Sequence, residues 1–146
     1  MQLTNLIALL IAPAIVAATL HPASSNTKGY RPSRLNCGAA KVSRAIQAAE
    51  CSHNTRTSTT QTFAVFETDH QYDSSHGAPY GTCTAYTCAP PASHELVASS
   101  DSWIFYWGNG GNSAGFGTTC IKSPKTGECG CENSNGVFVA GSNSCV

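Results

Sequence analysis

Cysteine placement constrains this chain more than any other feature. Cys37, Cys51, Cys83, Cys88, Cys120, Cys129, Cys131 and Cys145 are its eight cysteines, and all of them follow residue 36 of 146. An even count in a short exported chain reads as four disulfides on a small core. Eight cysteines allow 105 connectivities, and spacing does not choose among them. The staples matter to a small domain: a bridge closing a loop of about 100 residues contributes about 4.7 kcal/mol in the chain-entropy model.

The export reading comes from the first eighteen residues, MQLTNLIALLIAPAIVAA. An apolar run from Leu6 to Val16 leads into small residues, and Val16 and Ala18 fit a cleavage site after Ala18. The run is short for a bilayer span and Pro13 interrupts it. Residues 1–18 therefore read as a secretory signal, and no later segment has the length and apolarity of a membrane span. Residues 19–34, rich in Pro, Ser and basic groups, read as a flexible leader. Residues 35–146 read as one disulfide-rich domain.

Formal net charge is zero and 11% of residues are charged. That argues against a general polyanion-binding surface, and so against DNA, and against a basic membrane-active peptide. The chain has no Asn-x-Ser/Thr sequon.

LNCGAAKVSRAIQAAEC places Leu35, Ala39, Val42, Ile46 and Ala49 at spacings of three and four. That spacing predicts an amphipathic helix of about three turns with Asn36 as N-cap. Strands follow. In TQTFAVFET, Phe63 and Val65 share one face and Ala64 and Phe66 the other. GTCTAYTC and HELVA are shorter candidates. SDSWIFYW is the strongest: Trp103, Phe105 and Trp107 alternate with Ile104 and Tyr106, which predicts a central strand covered on both sides. GNGGN reads as a turn, and AGFGTTCI and GVFVAG as further strands. The expected class is α+β, one N-terminal helix on an antiparallel sheet.

TDHQYDSSHG, residues 68–77, is the densest cluster of titratable groups. It is no obvious metal site. Cys83/Cys88 and Cys129/Cys131 lack the C-x2-C spacing, and His94-Glu95 has no second histidine at the HExxH position. No metal or other cofactor is expected. The aromatics from Trp103 to Trp107 could stack nucleic-acid bases, but their period of two fits a sheet core better. Eight cysteines also occur in hydrophobin coat proteins, but those carry two adjacent Cys-Cys pairs and this chain has none.

The order of segments resembles the small guanyl-specific ribonucleases of fungi and their ribotoxin relatives. CGAAKVSRAIQAAEC resembles the family's opening Cys-Gly and helix, and TDHQY its Tyr-Pro-His-x-Tyr strand. HELVASS resembles its Glu-aromatic-Pro-Ile segment, and SDSWIF its Ala-Asp-Arg-Val-Val-Phe strand. AGFGTT resembles Ala-Gly-Val-Ile-Thr-His, and SNGVFVAGSNSC the terminal Asn-Phe-Val-x-Cys. The matches are short and span residues 36–145, with an insertion holding Cys83 and Cys88.

The resemblance implies RNA cleavage by 2′-hydroxyl transesterification, with an acid and a base on opposite sides of one phosphate and positive charge between them. It places Glu95 at the catalytic carboxylate, His70 at the first histidine and Tyr72 at the tyrosine two residues on. The family's first tyrosine falls on Thr68, its arginine on Ser102 and its general-acid histidine on Thr119. A threonine hydroxyl cannot serve as acid near neutral pH, and losing one acid–base partner costs about 10²–10⁴ in rate. His76, His94 or Arg44 would have to take over the missing roles. The resemblance also implies a bridge from Cys37 to Cys145. The resulting expectation is a secreted, cysteine-rich fungal effector: a monomeric ribonuclease-like scaffold with impaired catalysis that meets a host protein or RNA. An active guanyl-preferring ribonuclease and a disulfide-rich toxin or antimicrobial protein are the alternatives.

Overall fold

The computed structural model describes residues 26–58, 60–106, 120–122, 126–133, 135–143 and 145. The elements are β1 (Thr27–Pro32), β2 (Lys41–Gln47), α1 (Ala48–Thr57), β3 (Phe63–Thr68), β4 (Tyr80–Tyr86), β5 (Leu96–Tyr106), β6 (Ile121–Lys122), β7 (Cys129–Glu132) and β8 (Phe138–Ala140). The main sheet has the order β1-β5-β3-β4-β2, and a smaller sheet has the order β6-β7-β8. Every described pairing is antiparallel. One helix on an antiparallel sheet is the expected α+β class.

β3 sits at the centre because both its faces are apolar. Phe63, Ala64, Val65 and Phe66 are all buried. In register, Phe63 lies between Tyr86 and Tyr106, and Phe66 between Cys83 and Trp103. One face packs Ala64, Phe66, Cys83, Ala85, Trp103 and Phe105 against Ala48 and Cys51 of α1. The other holds Phe63, Val65, Tyr86, Ile104 and Tyr106 beneath Leu96 and the bridged Cys37 and Cys88. Phe63 and Tyr86 stack with ring centroids 4.9 Å apart. The alternation of Phe63–Phe66 and of Trp103–Tyr106 is thus a two-sided core, as their spacing predicts, and these aromatics are not a base-stacking surface. Trp107, GNGGN and most of AGFGTTCI lie outside the described residues.

β5 is bent. Ser99 and Ser102 stand three apart, which in a regular strand puts them on opposite faces. Their hydroxyls are nevertheless bonded at 2.8 Å. The opposing strand shifts register between Lys28 and Tyr30, around Gly29 at φ +80°.

Three expectations need correction. The helix begins at Ala48, while Lys41–Gln47 forms an edge strand on β4 with a bulge between Ser43 and Ile46. Alanine supplied much of the three-four pattern. The β-branched Val42 and Ile46 satisfy their backbone in the ladder that β4 offers. The true helix, AAECSHNTRT, carries a weak apolar signal because its buried face includes Ser52, Thr55 and Arg56. The leader is not wholly outside the fold, since Thr27–Pro32 pairs with β5.

The third correction concerns the bridges. They are Cys37–Cys88, Cys51–Cys83, Cys120–Cys131 and Cys129–Cys145, so Cys37 is not joined to Cys145. The first two staple the main sheet and the last two the small one. No disulfide crosses between the sheets. They are joined instead by a buried polar contact: Glu132 of β7 accepts from the Arg56 guanidinium and the Ser52 hydroxyl of α1. Arg56 is 0% and Glu132 4% exposed. Beside it Gly136, at φ +77°, lies where an added Cβ would come within 2.7 Å of the Phe105 ring.

Candidate functional site

The TDHQYDSSHG stretch leaves the end of β3 as a turn. Thr68 makes the last ladder pair with Gly81, and the Asp69 N–H donates to Tyr80 O at 2.8 Å. Asp69 then caps a single 3₁₀ turn, His70–Tyr72, by accepting from the Gln71 N–H at 3.1 Å. His70 and Tyr72 therefore stand on a turn, where the resemblance implies a strand. The far side of the stretch is also tied down. Gln47 Nε2 donates to Gly77 O at 2.8 Å, and the Tyr80 hydroxyl donates to His76 O at 3.0 Å. The Tyr72 ring leans on Tyr80 at 5.9 Å.

His70 is held from both sides. Its Nδ1 is 2.8 Å from Asp73 Oδ2, and its Nε2 is 3.3 Å from Asp101 Oδ1 on β5. Both contacts require an N–H on each ring nitrogen, which only the imidazolium has. Its pKa is accordingly raised, first by the hydrogen bond to Asp73, then by that to Asp101 and by their charges. All three side chains are more than half exposed. The protonated cluster holds one positive and two negative charges. Its net field repels a phosphodiester and opposes charge build-up at phosphorus.

Glu95 belongs to another neighbourhood. It closes the 3₁₀ turn Ser93–Glu95, and its Oε2 accepts from the Ala92 N–H at 2.8 Å. Its carbonyl accepts from both the N–H and the hydroxyl of Ser33, each at 2.8 Å. Its side chain lines a cavity of about 160 Å³ with Arg34, Leu35, Asn36 and Phe63. Leu35 also borders a second cavity of about 130 Å³, with Arg31, Val65, Glu67, Thr84 and Tyr86. Burial, with the Glu67 charge, pushes the Tyr86 phenol up. Among the described residues, no hydrogen bond, ion pair or cavity joins Glu95 to His70.

The remaining predicted positions supply no cation at a phosphate. Thr68 ends β3, Ser102 is 1% exposed and bonded to Ser99, and Thr119 lies outside the described residues. Arg44, His76 and His94 are exposed on three different segments: β2, the turn after β3 and the turn before β5. The described residues contain no group of three His, Cys, Asp or Glu able to hold a metal ion, and no free cysteine.

The spacing of His70 and Asp73, three apart on a tight turn, was a readable signal for one His70 partner. Asp101, 31 positions away, was not. The Arg56–Glu132 contact was equally hidden, since 76 positions separate two charges that a sequence reading assigns to solvent. Comparison of this chain with known protein families, with curated proteins and with solved structures found no match.

Proposed function

We propose that this chain is a secreted, disulfide-stapled interaction protein of the fungal effector type, which presents its loops to a host protein and does not cleave RNA. One observation carries the non-catalytic half: His70 is clamped between Asp73 and Asp101, while Glu95 is engaged at its own turn. A base and an acid acting on one phosphate have to converge on it. Four bridges among eight cysteines support an oxidising, extracellular destination. The signal-like residues 1–18 support it too, and no described helix is long and apolar enough to cross a membrane. The ribonuclease-like ancestry rests on segment order alone, since Cys37 pairs with Cys88.

The test is direct. Oxidised protein from Thr19 to Val146 is incubated with guanosine-containing RNA beside a Glu95→Gln variant. The expected result is background cleavage for both. Cleavage by the wild type that the substitution abolishes would overturn the proposal and establish the ribonuclease.

A further inference from the structure

β1 ends in Arg31-Pro32-Ser33-Arg34, followed by Leu35 and Asn36. Two arginines thus flank a two-residue spacer. Secretory endoproteases of basic specificity read that pattern, with arginine before the cut and a second basic residue three positions earlier. Position and exposure favour the same bond. Ser33, Arg34, Leu35 and Asn36 are all exposed and lie outside any helix or strand, as proteolytic sites on folded proteins generally are. Ser33 holds this segment at one end through its two bonds to the Glu95 carbonyl, and the Cys37–Cys88 bridge holds it at the other. Arg31 is a poor alternative because Pro32 follows it, Arg56 is buried, and Arg44, which has Lys41 three positions earlier, stands within the strand β2.

The fragment upstream of the cut would have no covalent hold, because the first cysteine is Cys37. Its non-covalent hold is one antiparallel ladder, to β5 alone. No residue of β1 is buried, and Tyr30 is 44% exposed. Lys28 lies 4.6 Å from the Trp103 ring centroid, and Asn26 Oδ1 accepts from the Tyr106 N–H at 3.1 Å. Such a strand stays paired because the chain tethers it at a high effective concentration, and cutting the tether removes that advantage.

We propose that the Arg34–Leu35 bond is a processing site for a secretory endoprotease of Arg-x-x-Arg specificity, and that the cut releases β1 with the residues before it. Water adds across the amide, leaving a carboxylate on Arg34 and an ammonium on Leu35. Loss of β1 bares the ladder edge of β5 from Leu96 to Ile104. It also withdraws Arg31 and Pro32 from the cavity floored by Val65, Thr84 and Tyr86. The inference rests on the reading of the chain as secreted.

Two experiments separate the inference from that reading. The full chain from Met1 is expressed in a eukaryotic secretion host, and the protein in the medium is analysed by intact mass. Wild type should begin at Leu35 and Arg34→Gln at Thr19, both with four bridges; secreted wild type beginning at Thr19 overturns the site. Independently, refolded and oxidised Thr19–Val146 is treated with a purified endoprotease of this specificity and passed over a sizing column at about 1 μM, where a short untethered strand should separate. A first cut after Arg34 and loss of the fragment are expected. Arg31→Gln should resist this enzyme, while trypsin still cuts it after Arg34. A first cut elsewhere, resistance of the wild type, or co-elution of the fragment overturns the inference. Failure of export refutes the secretion reading alone, because the purified-enzyme result stands without it.

Discussion

Replacing Glu132 by alanine should be among the most damaging single changes away from the apolar core. The substitution leaves the Arg56 guanidinium fully buried with its carboxylate partner gone, and the Ser52 hydroxyl without its acceptor. Breaking a buried ion pair from one side costs about 3–5 kcal/mol, a large part of the 5–15 kcal/mol that stabilises a typical domain. With a urea m-value of about 2 kcal/mol/M, the unfolding midpoint should fall by about 2 M. The assay is urea unfolding of the oxidised protein, followed by tryptophan fluorescence, for wild type, Glu132→Ala, Arg56→Met and a double variant with Arg56→Met and Glu132→Leu. Removing both charges together should recover most of the loss, because desolvation of the pair offsets much of its attraction. A single-variant cost below about 1 kcal/mol would refute the reasoning. So would a double variant as unstable as the sum of the singles, because paired groups in contact should not be additive.

Four further outcomes follow from the same structure. His70 should titrate above its ordinary value, and Asp101→Asn should lower it, measured by NMR of the imidazole; because the folded state raises this pKa, its contribution to stability is complete below the unfolded value of about 6.5 and is lost as pH rises through the folded value. His53 should do the opposite: burial and then the Arg56 charge lower its pKa. Its neutral form is favoured in the fold, so stability falls as pH drops below about 6.5, an effect that His53→Asn should remove from the acid limb of a melting-temperature profile. Replacing Cys51 and Cys83 together by serine opens a loop whose ends are 32 residues apart, and chemical denaturation should show a loss of about 3–4 kcal/mol. Gly136→Ala should destabilise by about 1–3 kcal/mol in the same assay, because the position has φ +77° and its Cβ would meet Phe105.

What could be read in the sequence was whatever repeats along one element. β3 and β5 were legible because Phe63–Phe66 and Trp103–Tyr106 alternate between two apolar faces. The helix was misplaced because its buried face is half polar. Ser52 and Arg56 are apolar by no scale, and their reason for burial, Glu132, lies on a different sheet. The candidate site was legible as a cluster and illegible as an arrangement. Asp69, His70 and Asp73 fall together in the chain, but the carboxylate on the far side of the ring comes from β5, brought there by the β3–β5 ladder ending beside it. The separation of Glu95 from His70 was hidden for the same reason. Glu95 precedes β5 while Asp101, the residue of β5 that His70 meets, lies well along it, and only the ladder decides which carboxylate stands beside the ring.

On the secretion proposed above, the division of the bridges has a consequence for the order of events during export. The four cysteines that emerge first from a translocating chain, Cys37, Cys51, Cys83 and Cys88, pair only with one another, and so do the last four. Chains that fold as they are threaded complete their N-terminal part first. Oxidation of the first half can then finish before Cys120 arrives to compete. The search falls from 105 pairings over the whole molecule to three in each half. A burst of eight free thiols, as in refolding from the fully reduced chain, forfeits that advantage. The native pattern should therefore form faster on the way out of a cell than in a test tube.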